Sequence, residues 1–272
     1  MKKIFMALLV AALCFYLPAA AQELYVNTEP ASNMAAKSIG FRFNNKFMKT
    51  TDSRFGWRFN PELMFGLSNK WMWHLSGYFS DLYQHTFRLE GFSTYAKYRF
   101  YANDDVHTHF RLAAYGKAAL IKNPVVSEEI NPDGDNTGLG AGLVATRLMH
   151  KIALSASAGY DRAMDNAGHF KFPEQNGKDA VGYTLSAGAL VFPQVYRNYR
   201  QVNMNVFLEL LGQSNLETGK HYLDMAPALQ FIFASRTRVD LSYRFQMDGD
   251  MQRFSDRSFL FRVEYNIFNA YK

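Results

Sequence analysis

His74 and Ser76 are the residues whose types and spacing most directly suggest chemistry. Side chains two positions apart on a β-strand point to the same face, so the imidazole could activate the serine hydroxyl as a nucleophile. Such a pair needs a third group that orients the base, and Glu90, near the start of the next predicted strand, is a candidate. Alternatively, both residues are polar groups on the wet face of a strand. The sequence leaves both interpretations open.

Two further clusters could be taken for metal sites. His107 and His109 lie beside Asp104 and Asp105, and residues 131–136 (N-P-D-G-D-N) begin like a calcium-binding loop. The histidines fall in a predicted turn, and the loop lacks the glycine at its sixth position and the glutamate at its twelfth. We therefore predict turns at both places, no metal site and no cofactor.

A period of two runs through the elements that must position these residues. In Ser258–Phe268, Phe259 and Phe261 fall on one parity, while Arg262 and Glu264 fall on the other. Successive side chains of a strand face opposite ways, so this segment has one apolar face and one polar face. The same pattern predicts twelve strands, at residues 37–43, 57–67, 70–80, 91–101, 109–121, 138–148, 151–161, 180–192, 201–211, 221–233, 237–246 and 258–268.

The apolar phase of these strands contains no Asp, Glu, Lys or Arg, as a lipid-facing surface requires. The opposite phase is polar and is predicted to line the interior of the fold. Its charged residues are Arg58, Glu62, Lys97, Arg99, Arg111, Lys117, Glu209, Asp224, Arg238, Asp240, Arg244, Arg262 and Glu264.

The composition and the spacing of the strands point to one fold class. The chain is 48% hydrophobic and 16% aromatic, its mean hydropathy is −0.23, and beyond its N-terminus it contains no apolar run of about 20 residues that could form a membrane helix. Short and long connections alternate, as in outer-membrane barrels with short periplasmic turns and long external loops. We predict an all-β fold, a transmembrane antiparallel up-and-down β-barrel of about 12 strands in residues 37–272. The alternative is a secreted β-sandwich, whose inner face would also be apolar.

The N-terminus reads as an export signal. Residues 1–21 have a basic start, a short apolar run and an Ala19-Ala20-Ala21 end, which are the parts of a secretory signal peptide. The one cysteine, Cys14, lies within it, so the exported chain would have no thiol. Residues 22–36 show no period and are predicted to be a periplasmic lead-in.

Prolines and aromatic residues refine this prediction. Pro61 and Pro227 lie inside predicted strands and lack the amide donor of a ladder hydrogen bond, so we expect a local bulge at each.

Outward aromatic residues near strand ends are typical of interfacial girdles. They are Trp57, Trp71, Tyr98, Tyr160 and Tyr265.

The inward charges carry both signs, so they either fill the interior with ion pairs or line a narrow polar channel. We predict a channel or transporter for small solutes. The alternatives are a lipid hydrolase using His74, Ser76 and Glu90, and a plugged structural or surface-recognition barrel.

Expected partners are outer-membrane lipid, the barrel-assembly machinery and an unidentified small solute. A net charge of +6 without a basic run disfavours nucleic acid.

Two segments resemble known barrels. Glu23–Gly40 (ELYVNTEPASNMAAKSIG) resembles the start of uncharacterised outer-membrane barrels of Bacteroidetes, and Asp224–Tyr243 is similar to the phenol-degradation (MetA-pathway) barrels, a transporter-like family. The resemblance implies a transport role in the outer membrane of a Gram-negative bacterium after signal peptide removal. The His74-x-Ser76 spacing also resembles outer-membrane lipid hydrolases. Their third member lies twelve residues after the serine, where this chain has Arg88, which cannot orient the base.

Overall fold

The computed structural model describes residues 25–49, 54–83, 86–105, 108–193 and 201–271. Within these ranges, twelve strands form one closed antiparallel barrel. The strands are β1 (Ser38–Lys49), β2 (Phe55–Gly66), β3 (Trp71–Ser80), β4 (Arg88–Asp104), β5 (Thr108–Ile121), β6 (Gly138–Met149), β7 (Ile152–Ala163), β8 (Asp179–Phe192), β9 (Asn203–Asn215), β10 (His221–Phe233), β11 (Thr237–Gly249) and β12 (Arg257–Ile267).

The sheet has up-and-down topology and no free edge. Each strand pairs with its neighbours in the chain, and β12 closes on β1 from Ile39 opposite Ile267 to Met48 opposite Ser258. The predicted fold class is confirmed, and the sandwich alternative is wrong because one sheet closes on itself. The structure assigns one short 3-10 helix, Glu174–Asn176, in the described ranges. No helix among the described residues is long and apolar enough to cross a membrane.

The connections differ between the two ends of the barrel. At one end, here called the short-turn end, the strands are joined by residues 67–70, 105–107, 150–151, 193–202 and 234–236. At the other, the long-loop end, they are joined by residues 50–54, 81–87, 122–137, 164–178, 216–220 and 250–256. β1 starts at the short-turn end, where Ser38 pairs with Gly66.

The two faces of the sheet differ as the period of two predicts. On β1 and β12, Phe41, Phe43, Phe259 and Phe261 are exposed on the outside. Aromatic rings stack across strands there; the ring centroids of Phe43 and Phe59, for example, are 6.2 Å apart. The charged residues between them point into the barrel and are buried. Apolar side chains therefore cover the outer wall, and polar ones fill the interior.

The two strand prolines are accommodated without the bulges we expected. The register of β2 with β3 is the same on both sides of Pro61. Pro227 pairs with Leu208 on β9, and the β10–β11 ladder lacks pairs at Ala226 and Pro227 but keeps its register across them. The β2–β3 ladder instead lacks pairs at Asn60 and Pro61, and the Asn60 side-chain amide donates to the Gly77 carbonyl at 2.9 Å. A side chain thus replaces the missing backbone donor, so no residue has to be inserted.

Candidate functional site

The inner wall carries a ladder of ion pairs where the barrel closes. Arg42 on β1 lies opposite Glu264 on β12, which lies opposite Arg238 on β11. Glu264 Oε2 is 2.8 Å from Arg42 Nε and 2.8 Å from Arg238 Nη2. Asp240 Oδ2 lies 3.1 Å from Arg238 Nε and 3.5 Å from Arg262 Nη1. Opposite charges at directly paired positions stabilise neighbouring strands.

The structure places the predicted interior charges as follows. Several are buried inside the barrel: Arg58, Lys97, Glu209, Asp224, Arg238, Asp240, Arg262 and Glu264. Glu62, Arg111, Lys117 and Arg244 are partly buried and bind groups inside the barrel or at its rim. Arg99 is partly buried near the short-turn end, beside the irregularity between Arg99 and Tyr101.

Residues 25–36, here called the N-terminal segment, enter the barrel from the short-turn end and lie inside it. Glu209 on β9, which is fully buried, accepts the backbone amides of Val26 at 3.0 Å and Asn27 at 2.9 Å. It also accepts the Thr28 hydroxyl at 2.8 Å. The sequence predicted a periplasmic lead-in here; the described part instead occupies the interior, because the inward charges supply its backbone with hydrogen-bond partners.

Other wall residues hold the rest of this segment. Lys97 Nζ donates to the carbonyls of Pro30 at 2.6 Å and Ser32 at 2.8 Å. The Thr146 hydroxyl accepts the amide of Ala31 at 2.8 Å. Side chains of further strands also bind the segment: the hydroxyls of Ser186 on β8 and Ser242 on β11 bind Thr28 and Asn27, and Arg111 on β5 donates to the Ser32 hydroxyl.

Glu29 of the N-terminal segment forms an ion pair with the wall. Its Oε1 lies 2.8 Å from Arg42 Nη1, and its Oε2 lies 3.8 Å from Lys97 Nζ. Burial by itself raises the pKa of Glu29, but the positive charges of Arg42 and Lys97 outweigh it, so this pKa lies well below its usual range. The carboxylate is therefore ionised at neutral pH.

Residues 122–137, here called the inner loop, fold into the barrel from the long-loop end. Asp135 Oδ1 lies 2.7 Å from Arg58 Nη2, and the Tyr83 hydroxyl donates to it at 3.0 Å. Burial alone would raise the pKa of Asp135, but the charge and hydrogen bond of Arg58 lower it. Gly134 has a φ of 120°, and a Cβ there would lie 2.9 Å from Arg58 Nη1, so glycine permits this close approach.

The inner loop is also joined to the opposite wall and to a second loop. The side chain of Gln213 on β9 accepts the Ile130 amide at 2.9 Å and donates to its carbonyl at 2.8 Å. The Asn166 side-chain amide, from residues 164–178, donates to the carbonyls of Asn123 and Asp135. The inner loop is thus held on both sides of the lumen.

A polar chamber of about 320 Å³ lies between the N-terminal segment and the inner loop. Its wall includes Arg42, Lys46, Arg244 and Arg262 from β1, β11 and β12. A second cavity of about 60 Å³ lies toward residues 253–258, and Lys46, Glu129, Asn131 and Arg244 line both. The two cavities share a boundary on the long-loop side of the chamber.

Glycines on adjacent strands make room for an aromatic ring of the chamber wall. Tyr115 on β5 lies opposite Gly142, which lies opposite Gly159, which lies opposite Gly182. A Cβ at Gly142 would lie 2.6 Å from the Tyr115 hydroxyl. The Tyr115 ring therefore occupies space that side chains on β6 and β7 would fill, and its centroid lies 5.5 Å from that of Tyr95.

His74 and Ser76 both line the chamber, but Glu90 is elsewhere. The His74 Nδ1 lies 3.8 Å from Glu62 Oε2, and its buried Nε2 has no hydrogen-bond partner among the described residues. Glu90 lies 3.3 Å from Arg58 Nε and accepts the Ser80 hydroxyl. The structure therefore does not bring Glu90 to His74, and the pair faces the interior rather than the apolar exterior.

The described residues of the two clusters considered for metal binding pair with other side chains. His107 lies outside the described residues; His109 Nδ1 is 3.3 Å from Asp104 Oδ1 near the short-turn end. In the inner loop, Asp135 pairs with Arg58. No group of three or more metal-ligating side chains occurs in the described part of the chain.

Comparison with known proteins rests on structure. No family model and no curated protein matches the sequence. A crystal structure of an outer-membrane channel from Pseudomonas putida F1 matches with a TM-score of 0.55 at 10% identity, over 89% of this chain and 100% of that one. The chain has the fold of an outer-membrane channel. The NanC porin (TM-score 0.48, 10% identity, 84% of this chain and 98% of that one) and the KdgM porin (0.42, 10%, 83% and 98%) are also similar.

The sequence interpretation missed three charged residues of the chamber wall and the occupants of the lumen. Lys46 lies beyond the predicted strand 37–43, whereas Arg42 and Asp161 lie inside predicted strands but were not among the predicted interior charges. The continuing alternation of Arg42, Asn44 and Lys46 was the available signal. Nothing in the spacing of residues 25–36 indicated that they enter the barrel.

Proposed function

We propose that the protein is an outer-membrane channel for small polar solutes. The observation that carries this proposal is a polar chamber of about 320 Å³ inside a closed barrel whose outer wall is apolar. Its fold, similar to that of an outer-membrane channel, supports the same role. Soluble proteins rarely expose so large a continuous surface of aromatic and aliphatic side chains to water.

The proposed orientation places the long-loop end outside the cell and the short-turn end in the periplasm. Trp57 and Tyr160 lie on the outer wall toward the long-loop end, and Trp71, Tyr98 and Tyr265 lie toward the short-turn end. Two aromatic belts of this kind suit the two lipid–water interfaces. The proposal includes export by the signal peptide, insertion by the barrel-assembly machinery and contact with outer-membrane lipid.

The N-terminal segment is proposed to be the movable part of the channel. It belongs to no strand. Tyr25 and Val26 at its start pack in a buried hydrophobic cluster with wall residues such as Phe207, and the rest of the segment is held mainly by separate polar bonds. Water can replace the partners of these polar groups when the segment leaves. The segment would close the periplasmic side at rest, and its departure would join the chamber to the periplasm.

Planar-bilayer recording of the refolded protein, together with swelling of vesicles in small sugars and amino acids, tests this function. The proposal expects discrete conductance steps and a solute-size cutoff. A tight electrical seal at all voltages combined with no swelling, from protein shown to be folded by its heat-modifiable migration, would overturn it.

A further inference from the structure

Among the described residues that line the chamber, one cation lies within ion-pair distance of no carboxylate. Arg42, Lys117, Arg244 and Arg262 each lie within ion-pair distance of a carboxylate: Glu264, Asp161, Asp224 and Asp240, respectively. Lys46, which lines the same chamber, has no hydrogen bond or ion pair among the described residues. It is partly buried on β1, directly opposite Arg58 on β2.

The carboxylates that line the chamber are each paired with a cation other than Lys46: Glu29, Glu62, Glu129, Asp133 and Asp161. Lys46 lies directly opposite Arg58 and lines the chamber together with Arg244 and Arg262. A partly buried ammonium that shares a cavity with guanidinium groups and has no paired carboxylate gains stability when an anion joins it.

Lys46 is positioned to contact a solute that moves through the lumen. Lys46 lines both the chamber and the smaller cavity toward residues 253–258, so a solute that moves between them passes its ammonium group. A volume of about 320 Å³ is at the lower end of the range of small-molecule sites. Hydroxyl groups of Ser93 and Tyr95 line the same space and can bind polar parts of such a solute.

We propose that the chamber is a binding site for small organic carboxylates and that Lys46 is its recognition residue. This inference rests on the proposed channel function, of which it names the solute class. One carboxylate oxygen would take the place of the missing counter-ion of Lys46, within reach of the Arg244 and Arg262 charges. The channel would accordingly favour anions over cations.

Succinate binding by calorimetry to the full refolded barrel in detergent tests the site without any need for conductance. Lys46→Met should weaken succinate binding about tenfold, the factor of one ion pair in a partly desolvated site. Lys46→Arg should retain it. Lys49→Met, on the same strand but lining neither cavity, is the matched control and should bind as the wild type does. Equal binding by Lys46→Met and the wild type, or no binding by the wild type, overturns the proposal.

Reversal potentials in a KCl gradient separate the two claims. An anion-selective wild type that loses selectivity in Lys46→Met supports both the site and the channel. Lys46-dependent succinate binding without conductance supports the site and overturns the channel. Conductance with unchanged ion selectivity in Lys46→Met, folded as judged by circular dichroism, overturns the role of Lys46 and leaves the channel standing. If Lys46→Met does not fold, Lys46→Gln replaces it.

Discussion

Glu209 is the residue on which the closed state most depends. Its buried carboxylate binds two backbone amides and one hydroxyl of the N-terminal segment, and hydrogen bonds to a charged group contribute about 1.5–3 kcal/mol each. Glu209→Ala should therefore release the segment and raise the open probability at least about tenfold in bilayer recordings, since tenfold requires only about 1.4 kcal/mol.

Asn205→Ala is the matched control for Glu209→Ala. Asn205 is buried on the same inward face of β9, but it donates to Gln230 at 3.0 Å rather than to the segment. The open probability of the Asn205→Ala channel should stay at the wild-type level. If both variants open alike, the effect comes from damage to the wall, and the assigned role of Glu209 is wrong.

Glu29 gives the closed state a defined pH dependence. Because its pKa in the folded protein lies below the ordinary 4.5, its ion pair with Arg42 contributes fully above that value and is lost as pH falls through the folded pKa. Protease protection of the N-terminal segment should therefore stay constant between about pH 7 and pH 5. Glu29→Gln should reduce protection across this range. A loss of protection by the wild type near pH 6 would contradict this.

At the scale of elements, the strands were predictable and the contents of the lumen were not. Alternation fixes which side chains face lipid, so β10 was predicted with its observed bounds, His221–Phe233. The prediction of bulges at Pro61 and Pro227 was wrong. Whether a strand needs an extra residue at a proline depends on nearby side chains, such as Asn60, that can supply the missing hydrogen-bond donor. The position of residues 25–36 depends on bonds to distant residues such as Glu209, which no local pattern reveals.

The inward glycines of β6 and β7 leave room for the Tyr115 ring, which lines the chamber. Gly159→Val should push its branched side chain against Tyr115, shrink the chamber and exclude the larger solutes that the wild type admits in vesicle swelling. Overpacking of this kind costs about 1–3 kcal/mol in stability. Gly116→Val on β5 is the control, since a Cβ there approaches only the Gly140 carbonyl at 3.9 Å. An unchanged size cutoff in Gly159→Val would refute this account of the chamber.

At the scale of the whole molecule, the barrel is polar inside and apolar outside, the reverse of a soluble protein. Leu185 on β8 is 55% exposed on the outer wall. Leu185→Arg should lower the free energy of unfolding from lipid vesicles by about 2–4 kcal/mol if this position lies near the bilayer midplane. Leu216→Arg, at an exposed position in residues 216–220, should have little effect. Equal stability of the two variants in denaturant titrations would argue against a lipid-facing wall.

The central claim is that the N-terminal segment closes the lumen and leaves it when the channel opens. Ala31 and Thr146 adjoin, with the Ala31 amide 2.8 Å from the Thr146 hydroxyl, and the exported chain is expected to have no other thiol. Single-channel recording of the Ala31→Cys, Thr146→Cys double variant, first oxidised and then reduced, tests this directly. The account predicts a silent oxidised channel that conducts after reduction, while each single variant conducts throughout. Equal conductance before and after reduction, with the disulfide verified by mass spectrometry, would contradict it.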